Sequence, residues 1–239
     1  MFEDIFNVVA GEKLYACEAA LDIADFYGID ISACYEADGS EETAKKNFWD
    51  KVKGGVTRVV EAVKTFCNFI KRKIKELFFK ITKKDTFYMD PEEFKSYDAT
   101  RGICEKILAL ADKGMAMARN AKEDASTDKV DSILAQINHL QKKNSEIRTA
   151  RAGKTSNRWQ VYNKPNCPDE QKMYAELTSL EKNAVEYETG AKTDVPKQFF
   201  TVVPQILRAK MDALRIYTRI VTRFASAPTS MPGKEDAAK

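Results

Sequence analysis

Apolar residues recur along this chain at helical spacing, and the longest such run lies in residues 48–84. Val52, Val56, Val59, Val63, Phe66, Ile70, Ile74, Leu77 and Ile81 step by three or four residues. Their mean step is about 3.6, the period of a straight α-helix; a strict heptad repeat would average 3.5 and supercoil. Trp49, Val60, Cys67 and Phe78 widen the apolar face. Gly54-Gly55 is the weak point, because Gly costs about 1 kcal/mol in an exposed helix interior. The helix is therefore expected to start after the pair or to bend there. The other segments are expected to pack beside this one.

Residues 12–27 read as a helix with Leu14, Cys17, Leu21 and Ala24 inward, closed by Gly28. After the break at Lys84-Asp85-Thr86, the run Asp90-Pro91-Glu92-Glu93 is a helix start. Asp can cap, Pro suits the first turn, and the acids face the positive end of the helix dipole. A helix over 98–120 places Ile103, Ile107, Leu110 and Met117 inward. Its small residues, Ala109, Ala111, Gly114, Ala116 and Ala118, admit a close neighbour. A short connector leads to a helix over 127–150 carrying Val130, Ile133, Ile137, Leu140 and Ile147, which implies an antiparallel hairpin. Residues 153–167 read as one long loop. In it, Tyr162 and its neighbours Arg158, Trp159 and Lys164 are expected to anchor the loop on the bundle rather than stack on a base. A helix from Pro168-Asp169-Glu170 to about residue 188 turns Tyr174, Leu177, Leu180, Ala184 and Tyr187 inward. The last helical region ends at Phe224 along Val203, Ile206, Leu207, Leu214, Ile220 and Val221, kinked or restarted at Pro204. The predicted fold is all-α, an elongated helical bundle. Its parts are an acidic helical arm (1–47), the long basic amphipathic helix (48–84), a bundle containing the hairpin (85–225) and a disordered tail (226–239).

Charge changes this picture in one place. The chain's net charge is only +3, yet residues 48–84 hold 11 Lys and Arg against Asp50, Glu61 and Glu76. Residues 1–47 hold 3 Lys against 11 acids, so the arm is expected to fold against the basic helix and weaken its appeal to polyanions. Lys53, Lys64, Lys71 and Lys75 fall on nearly one line, with Arg58, Arg72 and Lys83 further round, on the side away from the valines. Phe69 and Phe79 project among these cations. The favoured reading is that neighbours cover the helix from two sides and both rings are core. The functional reading is a basic-aromatic face that binds nucleic acid, an anionic membrane surface or an acidic partner. The candidate binding residues are Lys53, Lys64, Phe69, Lys71, Arg72, Lys75 and Phe79.

Composition excludes several classes. Gly and Pro together number 17 of 239 residues, which argues against a turn-rich β fold. The least polar window, 56–70, holds Arg58, Glu61 and Lys64, so it does not read as a membrane span. Five scattered cysteines with the single His139 offer no clustered zinc ligands. They are expected to be reduced thiols of a chain folded inside the cell, and the acidic N-terminus shows no export signal. Asp38-Gly39 lacks the ligand series of an EF-hand loop. Gly153-Lys154-Thr155 lacks the first Gly of a phosphate loop, whose place is taken by Arg148. Nothing nominates a nucleophile, a base or a cofactor, so no catalytic residue, cofactor or metal is expected.

The run Asn47-Phe48-Trp49-Asp50-Lys51-Val52-Lys53, followed by Phe66, Ile70 and Lys71-Arg72-Lys73-Ile74-Lys75-Glu76-Leu77-Phe78, resembles a known pattern. It is similar to the amphipathic basic-aromatic helices of minor or internal virion proteins in tailed bacteriophages. The resemblance implies a capsid-associated role in a virion assembled in the bacterial cytoplasm. The expected function is thus a non-enzymatic structural or assembly protein that binds other protein subunits, such as capsid or portal components or further copies of itself, through helix faces. The alternative is a nucleic-acid or anionic membrane-surface binding module.

Overall fold

The computed structural model of the chain describes residues 41–120, 128–151, 158–163, 168–190 and 197–231. Side chains are described from residue 55 in the first helix and from residue 202 in the last. The elements are α1 (Glu41–Thr82), β1 (Thr86–Met89), α2 (Pro91–Asn120), α3 (Asp128–Arg151), β2 (Gln160–Asn163), α4 (Glu170–Gly190) and α5 (Lys197–Ser226). The all-α class expected from the spacing of apolar residues holds. The one sheet among the described residues is the two-stranded β1–β2 pair.

The central element is α5, and the long basic helix is one wall around it. Val202, Val203, Ile206, Leu207, Met211, Leu214, Tyr217, Ile220, Val221 and Phe224 are all buried, as are Ala209, Ala213 and Ala225. At 100° per residue these positions cover roughly 220° of the helix circumference. A stripe facing a single neighbour needs little more than 100°. Accordingly α5 packs on all four other helices, whereas α1 packs chiefly on α4 and α5. The helix also runs unbroken through Pro204, where a kink or restart was expected. Pro204 lies early in α5, and the tertiary packing around it outweighs the loss of one backbone hydrogen bond.

Local signals account for the starts of α2 and α4. Asp90 caps α2 as its sequence suggests: its Oδ1 accepts the backbone N–H of Glu92 at 2.9 Å and of Glu93 at 3.1 Å. The helix begins there, at Pro91, and not at residue 98. Asp169 does the same for α4 through the N–H groups of Gln171 and Lys172. In α1 the apolar row expected from the sequence is the core face, from Val56 to Ile81. The helix passes through Gly54-Gly55 without a break and starts ahead of Phe48.

Contacts fix the helix directions. Cys104 meets Asn144 and Gly114 meets Ile133, so α2 and α3 form the expected antiparallel hairpin. Glu93–Arg223 and Asp112–Lys210 make α5 antiparallel to α2. Glu105–Lys172, Asp112–Ser179 and Arg119–Glu186 repeat at seven-residue steps with a constant offset, so α2 and α4 run parallel. Of the small residues on α2, Ala111, Gly114 and Ala118 face the core, and a Cβ on Gly114 would sit 3.0 Å from Ile206 Cδ1. Ala109 and Ala116 are exposed.

The segment expected to be a long loop contains β2, which pairs antiparallel with β1 in the register Thr86↔Asn163 to Met89↔Gln160. The cause is an aromatic cluster brought together from three distant segments. The Tyr162 ring stacks on Phe94 at 4.0 Å and on Phe87 at 5.7 Å, and Phe87 meets Phe224 edge-on at 5.3 Å. Of the four residues expected to anchor this segment, Tyr162 does so, Trp159 is half-buried, Arg158 is exposed and does not, and Lys164 lies outside the described residues. On its other side β1 is tied to the end of α5, where the Tyr88 N–H donates to Pro228 O at 2.8 Å. Ala227 is buried, so the first residues of the expected tail are held. Lys84, just past α1, caps α5 by donating to the carbonyls of Phe224 and Ala225 (3.2 and 2.6 Å) and of Ala227, where a cation suits the negative end of the helix. The acidic arm lies outside the described residues, apart from 41–47 within α1, and so does Gly153-Lys154-Thr155.

Two sets of substitutions test this packing by thermal melting. Ile74→Asp and Val63→Asp place an uncompensated charge in the α1 core row and should each cost about 3–5 kcal/mol, lowering Tm by roughly 10 °C; unchanged melting would show that this row is not core. Gly102, whose Cβ would meet open space, should gain about 0.5–1 kcal/mol on Gly102→Ala. Gly114→Leu should lose about 2 kcal/mol or more by driving into Ile206 and Ile133.

Candidate functional site

Because α1 buries a stripe of about 120°, roughly half of its circumference is left facing solvent. The exposed side chains there, with that of Lys83 just past the helix end, include six cations, Lys64, Arg72, Lys73, Lys75, Lys80 and Lys83, against two carboxylates, Glu61 and Glu76. Phe69 and Phe79 lie among them, 50% and 62% exposed. The favoured expectation that both rings are core is overturned. They sit on the side of α1 away from α4 and α5, and no described helix covers that side.

Each ring carries a lysine one turn later in the chain. Lys73 Nζ lies 5.8 Å from the Phe69 centroid and Lys83 Nζ lies 4.0 Å from that of Phe79. Both pairs are separated by four residues, the spacing that brings side chains together on a helix. A cation over an aromatic face contributes about 0.5–1 kcal/mol at an exposed site, which offsets part of the cost of leaving the ring in water.

Of the candidate binding residues, Lys64, Phe69, Arg72, Lys75 and Phe79 share this solvent face. Lys71 does not belong with them. It is half-buried at the α1–α4 seam, where its Nζ donates to both carboxylate oxygens of Glu181 at 2.7 Å. Its backbone carbonyl accepts from Tyr174 Oη at 3.4 Å. The line drawn through Lys64, Lys71 and Lys75 grazes the edge of the core stripe, so the middle residue is taken by the neighbouring helix. The Lys53 side chain lies outside the described residues.

A second polar cluster was not foreseen. Lys210 stands in the apolar stripe of α5 and is 0% exposed. Its Nζ donates to Asp112 Oδ1 at 2.6 Å and to Ser179 Oγ at 2.9 Å, and lies 3.6 Å from Glu176 Oε2. Ser179 Oγ in turn donates to the same Asp112 oxygen at 2.8 Å, and Asn183 Nδ2 approaches it at 3.4 Å. Three side chains from α4 and α5 thus converge on one carboxylate of α2. Burial alone would raise the Asp112 carboxyl, but the hydrogen bonds and charge of Lys210, with Ser179 and Asn183, outweigh it and hold the group below its ordinary value. Burial pushes Glu176 up, and the Lys210 charge only partly offsets it. Glu176 Oε2 is buried without a hydrogen-bond partner. The sequence signal was a lysine between Leu207 and Leu214 on the most continuously apolar helix.

Ser179 beside a lysine invites comparison with a serine–lysine nucleophile pair, but the donors point the other way. Lys210 donates to Ser179, and the hydroxyl proton of Ser179 is directed at Asp112, so the amine accepts nothing from the serine. What the arrangement does chemically is lock three helices in register. The two described thiols are no better as nucleophiles. Burial pushes Cys67 and Cys104 up to about 12, and neither is bonded to another cysteine.

Comparison with protein-family models, with curated proteins and with solved structures finds no match to this chain. Among the described residues no helix is long and apolar enough to cross a membrane, and no group of three or more His, Cys, Asp or Glu side chains is placed to hold a metal ion.

The two carboxylates around Lys210 should respond to pH with opposite sign. The depressed Asp112 contributes stability that is present above its ordinary value of 3.8 and is lost as pH falls through the lower folded value. The raised Glu176 costs stability at neutral pH, and that cost fades on acidification toward its ordinary value of 4.5. In melts at pH 7, Asp112→Asn should therefore destabilise more than Glu176→Gln, with the gap narrowing in acid. Lys210→Met should cost about 1–2 kcal/mol at pH 7, chiefly by leaving the more buried Glu176 uncompensated, since water already screens the partly exposed Asp112. Equal pH profiles for the two carboxylate variants would contradict this assignment.

Proposed function

We propose that this chain is a non-enzymatic binding protein whose working surface is the solvent face of α1 and whose target is anionic. The observation that carries the proposal is the pair of exposed phenylalanines among six cations, on a helix whose other face is held in the core. A cationic face alone is often just a solvated face. Large aromatic rings left in water on that same face are less readily explained by folding, since burying each would have been favourable by about 1.5–3 kcal/mol. The two carboxylates on the face reduce its charge without reversing it.

A second reading is favoured by the resemblance to phage virion proteins. There the same face docks on an acidic surface of a neighbouring capsid or portal subunit, and the chain serves assembly within the virion. Both readings use the same residues and the same electrostatics, and they differ in what lies opposite.

The test separates the face from the fold. Lys64→Glu, Arg72→Glu and Lys75→Glu change exposed positions and should leave Tm nearly unchanged, since substitutions at such sites are usually within about 0.5 kcal/mol. On an immobilised sulfated polysaccharide the intact protein should be retained and released by salt. The triple variant should elute at clearly lower salt, because fewer counterions are exchanged. Elution of the variant at the parent's salt concentration would remove α1 as the working surface.

A further inference from the structure

We infer that the α1 face is built to rest on a phospholipid bilayer with an anionic surface; this rests on the proposed working surface and names its target. Phe69 and Phe79 are ten residues apart, hence about 15 Å along the helix and about 80° apart around it. Between and beside them stand Arg72, Lys75 and Lys80, and each ring has its own lysine one turn on, Lys73 and Lys83. The face thus repeats one unit, a phenylalanine with a lysine over its ring, along a straight and convex surface.

That geometry suits a plane better than a strand. A single-stranded nucleic acid is held by aromatic rings that take up neighbouring bases, which lie about 3.4 Å apart when stacked. Rings about 15 Å apart on a convex helix do not form such a platform. A bilayer imposes no spacing. Its headgroup region accepts aromatic rings wherever they protrude, and its phosphates attract the surrounding cations within a Debye length. The lysine stems are long enough to lift their ammonium groups from the rings to the phosphates as the rings descend.

The core sets the depth of this contact. The apolar row from Val56 to Ile81 is buried against α4 and α5, so α1 cannot roll its apolar side into the lipid without unfolding. The interaction is therefore shallow: two rings at the headgroup boundary, the cations at the phosphates and the bundle standing above. It differs in this respect from a detached amphipathic helix, which inserts its whole apolar face.

The experiment is co-sedimentation of the intact protein with vesicles of phosphatidylcholine alone or with about a third phosphatidylglycerol. Binding should require the anionic lipid and weaken as salt rises. Phe69→Ser and Phe79→Ser leave net charge unchanged and should each weaken vesicle binding about tenfold, the effect of withdrawing one half-buried ring. Their retention on the sulfated polysaccharide should stay near that of the parent. In Phe79→Trp, emission differenced against the parent cancels Trp49 and Trp159. It should shift to the blue on anionic vesicles and be quenched by brominated acyl chains. Equal binding to neutral and anionic vesicles, or serine variants that bind vesicles as the parent does, would overturn the lipid inference. If the polysaccharide retention still falls with the charge variants, the working surface survives that failure. Tight binding to single-stranded DNA that the serine variants weaken, without vesicle binding, would replace the bilayer by nucleic acid.

Discussion

A helix buried over roughly 220° of its circumference needs partners on at least two sides, and α5 has all four of the other helices around it. The rest of the fold follows from that demand. The α2–α3 hairpin covers one flank, and α1 and α4 cover the other. The C-terminal end of α5 is fastened by several contacts at once. Lys84 caps its carbonyls, Arg223 forms a two-pronged ion pair with Glu93, and Phe224 enters the aromatic cluster with Phe87 and Phe94. The small β1–β2 pair is a consequence of this convergence. It is held by Tyr162 and Phe87 more than by its own short ladder, since an isolated two-stranded ribbon is marginal in water.

Lys210 places a charge in the middle of this apolar helix. Its partners come from both α2 and α4, two helices that otherwise touch each other little and meet mainly through long side chains. The three polar pairs at seven-residue steps form a ladder between them with Asp112 at its centre. Apolar contacts tolerate sliding by a turn because most neighbours are interchangeable. A fully buried ammonium does not, as displacement would strand it away from Asp112, whose carboxylate is partly exposed and reaches water in either case. The cluster thus contributes register more than net stability, which a hydrophobic replacement of all members could equal.

The two faces of α1 answer to different physics. Its inner face is chosen by the core: Ile74 and Cys67 are sealed from solvent, and Cys67 Sγ approaches the Leu177 carbonyl at 3.8 Å. Among the described residues nothing packs on its outer face, so packing between the described helices does not explain the residues there. Six cations can sit there because water screens their mutual repulsion, and the two rings can sit there because a lysine stem shields part of each. The proposed binding role belongs to this outer face, and the core fixes how far it can be offered to a partner.

Much of the fold was legible in the chain because helices report themselves locally. The apolar row of α1, the Asp90 cap, the hairpin of α2 and α3 and the inward side of α4 all follow from spacing and end signals within a few residues. The candidate face was half legible: the sequence placed Lys64, Phe69, Arg72, Lys75 and Phe79 on one side of a helix. Whether anything covered that side depends on where other segments go, and periodicity carries no information on that. The same gap explains Lys71, which lies on the cationic line by angle but is claimed by Glu181, a residue 110 positions away. It explains β2, which pairs with a strand on the far side of two helices. It also explains Lys210, whose place in an apolar stripe makes sense only once Asp112 and Ser179 arrive from other helices. Within the described residues the sequence by itself determined which segments are helices and which side of each is apolar, because those depend on interactions within one or two turns. Only the tertiary structure decided that α5 is central, that Lys71 and Lys210 are paired and that no described helix covers the phenylalanines. Burial and charge pairing are properties of neighbours in space, and neighbours far apart in the chain leave no local trace.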